Sequence, residues 1–184
     1  MRLFLGTAVP LAIAKDVRDR TTPFLPEDVC CKAPLEQWHI TAIFIGERQA
    51  TSLSIIRDAA AHLASITAPI TIEHGRLTTM PKETPSMMWV RFVPSPALTA
   101  LHVALAFRTG SRPSVYRPYW PHITLARTRK RNVTHINGDP VIKRMRLNEL
   151  TLFRSLRGPN GSVHEILENW PFTGTCPVDH EVGV

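Results

Sequence analysis

Short apolar or alternating runs recur along this chain at strand length, and the stretches between them carry apolar residues at helical spacing. Arg2–Val9 reads as a strand. Pro10 then opens a short helix to about Asp19, because proline is tolerated in a first turn and not beyond it. Pro23, Pro26 and Pro34 predict a loop over Thr21–Pro34. His39–Ile45 reads as a strand ended by Gly46. Leu53, Ile56, Ala60, Leu63 and Ala64 then fall on one helical face, with Thr51 or Ser52 as cap. Ile70–Thr79 and Met87–Val93 are strands across a proline-marked turn, and Ser95–Phe107 is a second amphipathic helix through Leu98, Leu101 and Leu105. A basic loop from Arg108 leads into a strand at His122. Arg146–Ser155 and Val163–Phe172 look like a closing strand pair around Gly158-Pro159-Asn160-Gly161.

This order is not a simple βαβ alternation, and no regular period suggests a solenoid; what it hints at is a duplicated strand–helix–strand unit. A chain of 184 residues fits one domain, residues 1–184, and is long enough to bury roughly 70% of its unfolded surface. The duplication has a chemical counterpart. His-Ile-Thr occurs at His39-Ile40-Thr41 and again at His122-Ile123-Thr124, each in a predicted strand, and no other His is followed two residues later by Ser or Thr. Side chains alternate faces on a strand, so each His and Thr share one face and Ile takes the other. Two imidazoles and two hydroxyls around one small anion suit acid–base chemistry on a phosphate ester, where one histidine must arrive neutral and the other protonated.

Charge changes the picture next. The net charge is +7, and Arg108–Arg157 holds twelve Lys or Arg residues against Asp139 and Glu149 alone. Beside a phosphate site, that excess points to an RNA-directed surface. The three cysteines, Cys30-Cys31 and Cys176, form neither a disulfide framework nor a zinc ribbon. Leu3–Ala14 loosely imitates a secretory leader, but Pro10 splits the run, and the expectation is a cytoplasmic protein. No apolar stretch reaches the roughly 20 residues of a membrane span.

The two blocks in context are Trp38-His39-Ile40-Thr41-Ala42-Ile43-Phe44-Ile45-Gly46 and Pro121-His122-Ile123-Thr124-Leu125-Ala126-Arg127. With the opening Met1-Arg2-Leu3-Phe4, the Arg117-Pro118-Tyr119-Trp120 lead-in and the tail block Leu150–Trp170, they make the chain resemble the two-histidine phosphoesterases, most closely the LigT-like RNA 2′,3′-cyclic phosphodiesterases, also called 2′-5′ RNA ligases. The resemblance implies an α+β, two-lobed pseudo-symmetric fold, each lobe an antiparallel sheet backed by helices, with the active site in the cleft between them. It implies that His122 deprotonates the attacking water and His39 protonates the leaving 3′ oxygen. Thr41, Thr124 and Arg127 would hold the phosphate, with no metal and no cofactor. The substrate would be RNA with a 2′,3′-cyclic phosphate end or a small cyclic nucleotide, and the enzyme a monomer.

The residues alone leave the acid and base roles open. Strict alternation from His122 sends Arg127 to the opposite face unless a bulge intervenes. Trp38, Tyr119 and Trp120 are candidates to stack on a base, or to be packing residues. Arg2 and Phe4 read as edge-strand residues outside the site, and Val163-His164, where the family usually has tyrosine, reads as having no direct part in the chemistry. Three other readings remain: a metal-dependent hydrolase using His39, His74 and His122; a non-catalytic RNA-binding module; and the same catalysis on ADP-ribose 1″,2″-cyclic phosphate or 2′-5′ linked oligonucleotides.

Overall fold

The structure is a computed structural model of the chain and describes residues 1–25, 30–112, 119–128, 136–158 and 161–175. Its strands are β1 (Arg2–Ala8), β2 (Cys30–Lys32), β3 (His39–Glu47), β4 (Ile70–Met80), β5 (Met87–Arg91), β6 (His122–Thr128), β7 (Asn137–Leu147), β8 (Glu149–Gly158) and β9 (Gly161–Pro171). The helices are α1 (Leu11–Thr21), α2 (Leu53–Ile66) and α3 (Pro96–Arg108). The apolar stripes read from the sequence are the faces the helices bury: Ile56, Ala60, Leu63 and Ala64 on α2, and Leu98, Leu101 and Leu105 on α3. Among the described residues no helix is long and apolar enough to cross a membrane.

The strands form one antiparallel sheet in the order β7-β4-β5-β6-β3-β1-β8-β9, with β2 added alongside β6. It has two halves. Outward from the middle, one runs β3-β1-β8-β9 and the other β6-β5-β4-β7, so each half begins with a His-Ile-Thr strand. The halves also share a strand–helix–strand connection, β1-α1-β3 in one, interrupted by the short β2, and β5-α3-β6 in the other, which is the repeat hinted at in the sequence. The helices tie the halves together: α3 packs on β3, α1 reaches β7, and α2 lies against β8, β9 and α3. Between the halves, β3 and β6 pair at a single position, Ile40 opposite Ile123, and then diverge into a cleft.

Both isoleucines are fully buried on the helix side, so the pivot of the fold lies in the core. On the far side of β3, Gly6 stands opposite Thr41, and a Cβ there would collide with the Ile40 carbonyl oxygen. Gly6→Ala therefore has to displace the pivot strand and is expected to cost about 1–3 kcal/mol, as overpacking does in other cores. A thermal melt checks it; an unchanged melting temperature would show that the strands can part without cost.

Three expectations need correction. The predicted loop Thr21–Pro34 contains strand β2, whose Cys30, Cys31 and Lys32 pair with Thr128, Arg127 and Ala126. The predicted strand Arg146–Ser155 is two strands: Arg146 and Leu147 end β7, and β8 begins at Glu149. β7 went unread because Asn137-Gly138-Asp139-Pro140 has turn composition; the strand lies at the end of the sheet, where a proline costs no ladder bond. Finally, β1 is an interior strand between β3 and β8, not an edge.

Candidate active site

The Ile40–Ile123 pair fixes how the two tripeptides meet. Antiparallel register about it puts His39 alongside Thr124 and His122 alongside Thr41, all four on the face opposite the buried isoleucines. The two histidines are then diagonal neighbours, a relation that typically separates residues by roughly 7–8 Å, and their Cβ atoms by somewhat less. All four side chains are half-buried, lining the cleft without being sealed from it.

Each tripeptide is followed by a β-bulge. On β3 the register with β1 skips Ala42, and on β6 the register with β5 skips Leu125. A bulge shifts side-chain alternation by one residue. Arg127, which strict alternation would send to the far side, is thereby turned to the face of His122 and Thr124, and its charge is felt at His164 across the cleft. Phe44 occupies the corresponding position of β3, five residues beyond His39, and Arg2 lies over its ring at 5.0 Å.

Both imidazoles are oriented the same way. His39 Nδ1 lies 2.7 Å from the Gln37 carbonyl and His122 Nδ1 lies 3.0 Å from that of Trp120, in each case the carbonyl two residues upstream. A carbonyl only accepts, so both Nδ1 atoms carry hydrogen and both Nε2 atoms remain for chemistry. Burial lowers the pKa of His39 to about 4, opposed by the Gln37 carbonyl and reinforced by the charges of His164 and His122. Burial also lowers His122, opposed by the Trp120 carbonyl. In the free protein near neutral pH both rings are therefore uncharged, and a phosphodiester anion bound between them would draw a proton in.

Their surroundings differ. His39 sits in an aromatic box, with ring centroids at 4.7 Å to Phe4, 5.4 Å to Phe153 and 5.0 Å to His164. His122 stacks on Trp89 at 3.9 Å. The divergence of β3 from β6 strands two β3 carbonyls, which side chains satisfy: Tyr119 donates its hydroxyl to Thr41, and His102 Nδ1 lies 2.7 Å from the Ala42 oxygen. The two rings stack at 4.6 Å, filling the wedge between the halves. Burial raises the Tyr119 pKa well above its ordinary value, so the phenol keeps the proton it donates.

The sequence candidates therefore converge: His39, Thr41, His122, Thr124 and Arg127 share one face of the cleft. Of the three candidate stacking residues, Trp38 is core, bonded to the Ala33 carbonyl, Tyr119 is packing, and only Trp120 is open to solvent. Sequence reasoning missed three residues. Phe4 and His164 pack directly on His39; burial depresses the pKa of His164, the charges of Arg127 and then Arg2 adding to it, and its Nδ1 is buried with no hydrogen-bond partner among the described residues. His164 reaches His39 because the β8–β9 hairpin folds its tail block back alongside β1. The signal was the family departure itself, a titratable ring where tyrosine is usual. His74 lines a different groove, and among the described residues no three His, Cys, Asp or Glu side chains gather as a metal donor set. Arg117, Pro118, Arg129, Lys130, Arg131 and Cys176 lie outside the described residues.

Comparison with known proteins agrees with this architecture. An RNA 2′,3′-cyclic phosphodiesterase of Thermus thermophilus is 27% identical over 186 aligned residues, covering 95% of this chain and 91% of the relative. A Thermus thermophilus crystal structure superposes with a TM-score of 0.81 at 24% identity, covering 95% of this chain and 99% of that one. Escherichia coli LigT complexed with 3′-AMP gives 0.76 at 23% identity, covering 94% and 98%. Residues 9–159, a span that takes in both His-Ile-Thr strands and their bulges, match as a unit, and the chain belongs to the 2′-5′ RNA ligase superfamily.

Proposed function

We propose that this protein is a cyclic phosphodiesterase that hydrolyses RNA 2′,3′-cyclic phosphate ends to 2′-phosphates by metal-independent two-histidine catalysis. The observation that carries the reading is the Ile40–Ile123 pair, which sets two Nδ1-anchored imidazoles as diagonal neighbours on one face of the sheet. In-line displacement at phosphorus needs a base on one side and an acid on the other, and this arrangement supplies one of each. The name and near-complete overlap of the Thermus thermophilus relative support the substrate class.

His122 takes a proton from the attacking water and His39 protonates the departing 3′ oxygen. In the free protein the deeper depression of His39 leaves a single proton on His122, so this division requires the bound phosphodiester anion to draw a proton onto His39. Thr41 and Thr124 donate hydroxyl hydrogen bonds to the non-bridging oxygens, where charge builds in the transition state. Arg127 completes the anion site as a planar cation able to serve two oxygens. Each role uses groups the chain itself supplies.

The test is to incubate the protein with a cyclic-ended oligonucleotide and with a 2′,3′-cyclic mononucleotide, in excess EDTA, and to identify the products. A 2′-phosphate formed undiminished in chelator is the expected result. A 3′-phosphate would exchange the two histidine roles, and complete loss in EDTA restored by a divalent ion would replace the mechanism with a metal-dependent one.

A further inference from the structure

A row of side chains runs from the reaction centre across the sheet, perpendicular to the strands. Arg91 on β5 stands directly opposite His122, and Arg76 on β4 stands directly opposite Arg91. Directly opposed residues share a face, so the order Thr41, His122, Arg91, Arg76 is one continuous line on the cleft side, reaching about 10 Å, two strand spacings, beyond the catalytic strand. Like charges placed directly opposite destabilise a sheet. Among the described residues no carboxylate forms an ion pair with either arginine; Glu73 lies at the rim, 4.0 Å from His74.

The row borders a groove of about 260 Å³ lined by His74, Arg76, Arg91, Phe92, Pro94 and Trp120 among others. Trp120 is 40% exposed and has the Arg91 guanidinium 4.2 Å from its ring centre. Its backbone carbonyl also holds His122 Nδ1, so the ring stands at a fixed place beside the reacting imidazole. Two guanidinium groups in line, with no carboxylate partner among the described residues, and an exposed indole on one wall are the equipment of a nucleotide subsite: cations for a phosphodiester, an aromatic face for a base. Pro140, opposite Arg76 on β7, ends the line at the sheet edge.

We infer that Arg76, Arg91 and Trp120 form a second subsite that holds the phosphodiester and base of the nucleotide preceding the cyclic end, so that the substrate is an RNA chain rather than a mononucleotide. This rests on the proposed cyclic phosphodiesterase reading. A phosphodiester in the groove relieves the repulsion between the two guanidinium groups, and the indole stacks on any base, so recognition is of chain and not of sequence. A pyrophosphate-bearing small cyclic nucleotide offers the same anion chemistry without the continuing chain.

The experiment compares wild type, Arg76→Glu, Arg76→Gln and Trp120→Ala on a cyclic-ended trinucleotide, a 2′,3′-cyclic mononucleotide and ADP-ribose 1″,2″-cyclic phosphate. The ratio of kcat/KM for the trinucleotide over the mononucleotide is expected to fall at least about tenfold in Arg76→Glu, and severalfold in the other two variants. In parallel, calorimetric binding of a trinucleotide 2′-phosphate, which needs no turnover, is followed against salt. The log–log slope should lose about 0.7 when Arg76 gives up one phosphate contact. An unchanged ratio together with an unchanged salt slope in a folded Arg76→Glu overturns the subsite. A loss of ratio larger for ADP-ribose 1″,2″-cyclic phosphate than for the trinucleotide overturns the assignment to RNA. If wild type cleaves none of the three, the cyclic phosphodiesterase reading fails, while the binding arm still decides whether the groove takes an RNA chain.

Discussion

Replacing either His39 or His122 with alanine is expected to lower turnover of a 2′,3′-cyclic phosphate by at least about a hundredfold, since each removes one of two proton-transfer partners. Both rings lie on the cleft face, and each is anchored through its own Nδ1 to a carbonyl two residues before it, outside the strand, so neither ring carries the strand pairing. His122→Ala exposes Trp89, whereas His39→Ala leaves a hollow among Phe4, Phe153 and His164. A thermal melt run beside the assay separates lost chemistry from lost packing in that second case. Because the two imidazoles act on one reaction as a unit, the double variant should fall little below the worse single one. Near-wild-type turnover in either single variant would end the two-histidine mechanism.

What was legible in the sequence is what local periodicity encodes. The two His-Ile-Thr strands, the buried stripes of α2 and α3, and the sharing of a face by each His and Thr all follow from a period of two or of 3.6. Bulges do not announce themselves in a single sequence. Alternation alone sends Arg127 away from His122, and only the skipped Leu125 turns it back. Long-range pairing was equally invisible. Phe4 and His164 are 160 positions apart in the chain, yet both reach His39, because β1 lies between β3 and β8 and the β8–β9 hairpin returns alongside. The Arg76–Arg91–His122 row likewise exists only once three strands are in register. β7 was lost to its own composition, since Pro140 reads as a breaker until its edge position is known.

The pH dependence of kcat/KM is expected to peak on the acid side of pH 6.5 and to fall about tenfold per unit above it, reaching a loss of about a hundredfold or more by pH 8.5. The sign follows from the free protein. His39 is depressed to about 4 and His122 is also depressed below 6.5, so the state with one imidazole charged and one neutral is most populated between those two values. Above the upper one both rings are neutral, and each further pH unit removes nine-tenths of the singly protonated enzyme. In the complex a phosphodiester anion lies between the rings and favours their charged forms, which moves the kcat profile to higher pH than that of kcat/KM. Binding a cyclic-ended oligonucleotide near neutral pH should accordingly take up protons, measurable as a buffer-dependent enthalpy. A kcat/KM that rises to a plateau above pH 8, with no proton uptake on binding, would mean that no protonated imidazole takes part and that the leaving oxygen finds its proton elsewhere.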